Sequence, residues 1–379
     1  MFDLILKGGT VIDPSRGLHQ KLDVAISGGK IAAVREEIPE CEAAKTLDVS
    51  GKLVVPGLVD LHVHMYLGGT ALGADPDETC LRHGVTTVLD CGSFGSDNFE
   101  GFRRWIAERC NTRVYSLIHL SCLGLVGIGK AGELANPAYA DPEGAMEILR
   151  RYPDLVLGLK MRATESVVGG SCLPALRMAR RVADEVGVPL MVHIGRSREP
   201  LPDILSYLKT GDIITHCATP RLNGLLDGNG RILPQVWEAR QRGVVFDSAH
   251  GRPHFSFVTA GRLLDQGFLP DAISTDLTNV SAKESVLDLP TTMTKWLALG
   301  MPLDEVIALV TYRPAQILGK ADLFGSLRDG LEADVAVLEW KEGEFGLKDG
   351  AGEVRTVHER LAPHVTVRAG RLFYPNIEN

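Results

Sequence analysis

The stretch VVPGLVDLHVH, residues 54–64, ends an apolar, β-branched run in two histidines one residue apart. Side chains alternate faces along a strand, so His62 and His64 point the same way. Two imidazoles converging on one point is the geometry a divalent transition metal requires. A bare His-x-His is equally a strand end carrying two surface histidines, and the rest of the chain decides between the two. PLMVHIG (189–195) and IITHCA (213–218) again end apolar runs in a histidine, His193 and His216. AISTDL (272–277) ends one in Asp276, and LVLGLKMR (155–162) ends one in Lys160. Six groups able to serve a metal site, each at the C-terminal end of a strand pattern, do not arise by accident.

Outward from that stretch, short apolar runs alternate with amphipathic segments. Candidate strands cover 58–64, 86–93, 112–120, 155–162, 188–195, 211–218, 244–251 and 270–277. Their β-branched, apolar character suits strands buried on both faces. Helical patterns lie between several of them, clearest at 102–110, 142–151 and 171–187, the last stopped by a Gly-Val-Pro step. Eight strands with intervening helices predict an α/β chain built as a (β/α)8 TIM barrel, whose chemistry sits at the C-terminal ends of the strands. The two ends of the chain read differently, as short strands separated by Gly-rich turns. The expected organisation is a metal-dependent barrel domain over 56–326. A small composite β-sandwich would be formed by residues 1–55 and 327–379.

Composition narrows the function classes. The 379 residues are 45% hydrophobic and 23% charged, the profile of an ordinary globular protein. No apolar run is long enough for a membrane span, and the first residues lack the pattern of a secretory signal. The net charge is −8, and the basic clusters RRWIAER and RMARR fall in helical patterns, so nucleic-acid binding has no electrostatic support. Seven cysteines without a Cys-x-x-Cys pair fit reduced thiols in a cytoplasm. The expected partner is a small-molecule substrate, with homo-oligomerisation left open.

Strand order assigns the ligands. The first and eighth strands of a closed barrel are neighbours, so His62, His64 and Asp276 would form one metal position. His193 and His216, on adjacent fifth and sixth strands, would form a second. The two would lie on roughly opposite sides of the mouth and need a bridge. Lys160 on the fourth strand is the odd member, because an ammonium cannot ligate a metal. A lysine buried beside cations has a depressed pKa, and its neutral amine can add carbon dioxide. The carbamate has two oxygens and could bridge two metals, an inference that a lone lysine would not carry.

With PGLVDLHVH, Lys160, His193, His216 and the STD of Asp276 in place, the chain resembles the amidohydrolase superfamily. The terminal segments LILKGGTVID and GSLRDGLEADVAVL match that family's habit of flanking the barrel with a composite β-sandwich, so the resemblance covers almost the whole chain. It implies two divalent metal ions per chain, zinc or similar, bridged by a carboxylated Lys160 and a hydroxide. GLKMRA, FDSAHG and GFLPDAISTDL look closest to a dihydroorotase-like subgroup of deacetylases, which cleave small acetylated acids. Dihydroorotase itself matches less well, because Tyr66 stands where its His-x-His-x-Arg pattern has a carboxylate-holding arginine.

The expected reaction is hydrolysis of an amide or ester bond of a small carboxylated molecule, such as an N-acetyl amino acid or an acetylated hydroxy acid. Metals lower the pKa of a bound water and polarise the carbonyl, and Asp276 would carry the proton to the leaving group. A hydantoinase-like cyclic-amide hydrolase is the second enzyme reading. A non-catalytic homologue with a scaffold role is the reading from another class, and six converging polar groups speak against it. Arg162, two positions after Lys160, would hold a substrate carboxylate; an arginine in a surface loop has equal weight. His250 and Gly251, closing the seventh strand, are expected to touch substrate, the glycine by allowing close backbone approach. His119 ends the third strand and is left undecided. Cys217 faces away into the core, and His19, His83, His358 and His364 are not expected to be ligands.

Overall fold

A computed structural model describes residues 1–128 and 133–376. Seven parallel strands follow one another around a barrel: β1 (Leu58–Val63), β2 (Val85–Cys91), β3 (Arg113–His119), β4 (Val156–Arg162), β5 (Leu190–His193), β6 (Ile213–Thr215) and β7 (Val245–Asp247). Each pairs with the next in unbroken order. Every residue of β1 and β2 is buried. Covered on both faces, these strands have no solvent side to encode, hence the continuous apolar runs. Val59, Leu61, Leu89, Cys91, Leu117, Met191 and Ile213 fill the barrel interior as one cluster.

The eighth expected strand, 270–277, is not a regular ladder strand. It makes single bridges, Ala272 to Asp247 of β7 and Leu277 to Val63 of β1, and so nearly closes the barrel. Two features interrupt it. The Ile273 N–H is taken by the Leu309 carbonyl, outside the sheet, and Asp276 has a left-handed backbone at φ 48°. The expected helix at 102–110 is also different: a single α-turn, Phe99–Phe102, runs into a π-helical turn, Arg103–Ala107. The other two patterns are regular helices. Pro142–Arg151 is capped by Asp141, and Leu173–Val186 ends at the left-handed Gly187.

Both ends of the chain contribute to a separate eight-stranded sheet. Its seam is Leu53–Pro56, which runs parallel to Leu4–Asp13 and antiparallel to Val335–Lys348 with Pro56 opposite Val335. Leu6, Val24, Val54, Val337 and Val367 form its own core. A long hairpin, Val335–Lys348 with Val354–Arg368, carries its turn back to the barrel mouth. There the Gly350 N–H donates to the Phe255 carbonyl at 2.8 Å, and Asp349 Oδ2 accepts from the Phe257 N–H at 3.0 Å. All seven cysteines are free thiols. No described helix is long and apolar enough to cross a membrane.

Candidate metal centre

A bulge in β1 aims the two histidines. Between Asp60 and Val63 the strand advances three residues while β2 advances two. Such an insertion redirects side chains, and bulges recur beside active sites for that reason. The Asp60 carboxylate pins the bulge, accepting from the His62 N–H and from both the N–H and hydroxyl of Thr275. Two further backbone bonds stitch β1 to the closing segment: Asp276 N–H to His62 O at 2.7 Å and His64 N–H to Leu277 O at 2.9 Å. Asp276 is thereby carried to the histidines. Its Oδ1 lies 3.2 Å from His64 Nε2 and 3.6 Å from His62 Nε2.

Hydrogen bonds behind the rings set which nitrogen faces the mouth. Thr215 donates its hydroxyl proton to Asp247 at 2.7 Å, so its oxygen accepts from His62 Nδ1 at 2.8 Å. Ser93 Oγ lies 2.9 Å from His64 Nδ1 and bonds the buried Asp90 carboxyl. Both histidines therefore carry the proton on Nδ1 and present the Nε2 lone pair, the arrangement that second partners enforce on metal-binding imidazoles. His216 does likewise, donating from Nδ1 to the Ala249 carbonyl at 2.8 Å. Its Nε2 is 2.8 Å from His193 Nδ1.

Lys160 lies between the two groups. Its side chain is fully buried, with Nζ 3.1 Å from His62 Nε2 and 3.4 Å from Met191 Sδ. Gly92 makes room for it at φ +79°, where a Cβ would lie 2.8 Å from the Lys160 Cβ. Burial pushes the Lys160 amine below its ordinary range. Burial, then the Lys160 charge, lowers His62 to about 4, and burial also holds His193 and His216 well below the usual imidazole value. These rings are neutral at pH 7. Burial pushes the Asp276 carboxyl up, and the facing imidazoles pull it down only in so far as they carry a proton.

Five of the six residues that the sequence assigned to metal fall in two trios, which His254 completes, and the sixth, Lys160, lies beside His62. His62, His64 and Asp276 place one donor atom each within 4.8 Å of one another, and so do His193, His216 and His254. The trios are adjacent rather than on opposite sides of the mouth, with the His62 and His216 rings 5.2 Å apart. His216 lies one residue beyond the short β6 in a left-handed conformation, φ 74°, which turns its ring inward. Buried donors with inward lone pairs and a carboxylate are a set that fits divalent metal ions.

A cavity of about 220 Å³ opens over this centre, lined by His64, His193, His254 and Asp276, by Arg162 and Arg252, and by Leu72, Leu125, Ile128, Pro253, Thr278 and Val280. Arg162 thus reaches the mouth. Its guanidinium is paired with the buried Glu133 carboxylate, whose other oxygen is 2.9 Å from His119 Nε2. The Ser121 N–H donates to His119 Nδ1, which puts the ring proton on Nε2, facing Glu133. His119, undecided from sequence, supports Arg162 and does not line the cavity.

His250 is not brought to the cavity. Its ring is fully buried against Phe255, and its Nε2 meets the Lys295 ammonium at 2.8 Å. Gly251 also makes its close approach elsewhere: it backs Asp276, whose Oδ2 would be 2.4 Å from a Cβ at that position. His254, four residues past His250, occupies the mouth instead. Sequence reasoning passed over it because a histidine beyond the strand end has no periodicity to place it. Glu133 was missed for the same reason. Cys217 is buried in the core, as expected from strand alternation.

No family model matches the chain. A deacetylase of Agrobacterium fabrum is 32% identical over 346 residues, 91% of this chain and 85% of the relative. A deacetylase of Enterococcus faecalis is 32% identical over 377 residues, 98% of this chain and 99% of the relative. A crystal structure of an adenine deaminase, 32% identical, superposes with a TM-score of 0.90 over 99% of this chain and 100% of that one.

Proposed function

The chain belongs to the amidohydrolase superfamily, among its deacetylase-like members, and from that membership we propose that it hydrolyses an amide or ester bond of a small carboxylated substrate using two divalent metal ions. The observation that carries this reading is the pair of adjacent donor trios with Lys160 between them, at the base of a cavity that also presents Arg162. His62, His64 and Asp276 would hold one ion, and His193 and His216 the other. Lys160, its amine pushed toward the neutral form by burial, would bridge them once carboxylated. The bound ions, most suitably zinc given the imidazole donors, would supply Lewis acidity that lowers the pKa of water and polarises the scissile carbonyl.

The chain's own groups account for the rest. Asp276 lines the cavity, so its carboxylate can accept a proton from the attacking water and return it to the leaving nitrogen or oxygen. Arg162, steadied by Glu133, has further N–H groups with which to take a substrate carboxylate. Leu72, Leu125 and Val280 supply an apolar wall for an acyl or side-chain group, and the small cavity limits the substrate to a small molecule. Among the described residues, the cavity lining holds no serine or cysteine, which fits direct attack by water. Cyclic-amide hydrolysis finds less support. Tyr66, where the dihydroorotase pattern has arginine, donates its hydroxyl to the Asn98 carbonyl at 3.0 Å and packs edge-on against Phe102, so this position gives the mouth no cation.

Elemental analysis of protein purified without chelator, run beside a hydrolysis screen of N-acetyl amino acids, acetylated hydroxy acids and cyclic ureides, tests the reading. About two divalent ions per chain and turnover of an acetylated acid are expected, with KM for that acid raised in Arg162→Met. Full activity in metal-free protein would refute it.

A further inference from the structure

His254 is the histidine at the mouth to which the ligand assignment above gives no role. Its ring stacks on His216 at 4.0 Å between centroids and stands edge-on to His193 at 4.7 Å. Its Nδ1 is buried and has no hydrogen-bond partner among the described residues. A buried nitrogen left unpaired is costly, and such an atom calls for a partner such as an ion, a ligand or a water.

The segment carrying His254 is tied on every side. The N–H groups of His250 and Gly251 donate to Ser274 O and Thr275 O, at 3.0 and 2.8 Å, and that of Ser256 donates to Ala218 O at 3.2 Å. From the terminal sheet, the hairpin turn grips Phe255 and Phe257 through Gly350 and Asp349. The turn sits so close that a Cβ on Gly350 would lie 2.8 Å from the Pro253 carbonyl carbon. Elements from opposite sides of the loop therefore fix where the imidazole stands. It stands with one donor atom within 4.8 Å of donor atoms of both His193 and His216.

We propose that His254 supplies a third nitrogen to the metal position held by His193 and His216. The proposal rests on the two-metal reading and adds to it an asymmetry between the positions. One has three neutral imidazoles, and the other has two imidazoles and a carboxylate. The three-imidazole set suits zinc, cobalt or nickel and, being neutral, leaves its ion more electrophilic. With three protein nitrogens, that ion would also depend less on the Lys160 bridge for retention.

The test compares wild type, His254→Ala, His254→Gln and His193→Ala, each loaded with zinc, dialysed against graded chelator and assayed for metal content. Cobalt-substituted samples are followed by visible absorption. The expected result is that His254→Ala loses one of its two ions at chelator concentrations that leave wild type with both. The apparent affinity of that position should fall by roughly 10-fold or more, at least as much as loss of an outer partner costs. The cobalt spectrum should change, and His254→Gln, which keeps an oxygen donor, should recover part of the loss. If His254→Ala holds both ions as wild type does, with an unchanged cobalt spectrum and only a raised KM, His254 is a substrate contact and the proposal is overturned. Wild type and His193→Ala separate the two levels: if wild type never holds more than one ion, the two-metal reading itself fails, whereas loss of an ion in His193→Ala but not in His254→Ala overturns only the role of His254. Should the alanine variant not fold, His254→Gln and His254→Asn carry the same comparison.

Discussion

Gly251→Ala measures how tightly the Asp276 carboxylate is held. The glycine has φ +51°, and a Cβ built on it lies 2.4 Å from Asp276 Oδ2. Heavy atoms in contact prefer about 3.5 Å, so the carboxylate, the loop or both must yield by about 1 Å. A displacement of about 1 Å in a catalytic group costs on the order of 10²-fold in rate. The left-handed backbone adds about 1–2 kcal/mol of destabilisation for any residue with a Cβ. Gly28 separates the two effects. It has nearly the same backbone, φ +58°, with nothing within 4 Å of its Cβ position. Gly28→Ala should therefore lose a similar stability in a thermal melt while keeping wild-type kcat in the folded protein. Gly251→Ala should lose that stability and about 10²-fold in kcat, measured on metal-loaded enzyme with the best acetylated substrate. A Gly251→Ala enzyme with wild-type kcat and metal content would refute the reasoning, because it would mean that the loop yields and the carboxylate keeps its place.

Asp276→Asn should keep the fold and most of the metal, since an amide oxygen can still reach an ion, but it cannot accept a proton at neutral pH; kcat should fall on the order of 10²–10⁴-fold, and near-normal kcat would end its assignment as proton carrier. Acid stability of chelated protein follows from His62, whose pKa is lowered to about 4 by burial and then by Lys160. The unfolded chain takes up this proton below about pH 6.5, whereas the native state resists it down to about 4. That contribution to stability is therefore present above about pH 6.5 and lost as the pH falls toward 4. Melting temperatures of chelated protein between pH 7.5 and 4 should decline across that window. A flat profile, or a decline moved out of the window by His62→Ala no more than by His19→Ala, would count against it.

The sequence carried the barrel because its strands are buried on both faces and announce themselves as unbroken apolar runs. It carried His62, Lys160, His193, His216 and Asp276 because each sits at the end of such a run, where periodicity says which way a side chain points. Legibility stopped where backbone regularity stopped. The segment around Asp276 reads as a strand from its composition, yet its N–H groups are divided among Phe246, Leu309 and His62, and its φ is positive at Asp276 itself. His250 and His254 lie four residues apart in one loop, and nothing in their types says which faces the mouth. That choice is made by Lys295, reaching His250 from a helix 45 residues further on, and by the turn at Gly350. Glu133, which steadies Arg162, likewise gains its meaning from a contact 29 residues away.

The seam at Leu53–Pro56 has a consequence for how the chain comes into being. Its antiparallel partner, Val335–Leu338, lies about 280 residues further along. At synthesis rates of about 5–20 residues per second, that partner emerges tens of seconds after the seam strand does. Throughout that wait Leu53–Val55, a wholly apolar edge leading directly into β1, has no cover on one side. Pairing over such a separation is slow to close, and unpaired apolar edges are where nascent chains associate. The terminal sheet therefore closes last although its first strands are made first, and until then the nascent chain carries an unpaired apolar edge open to association.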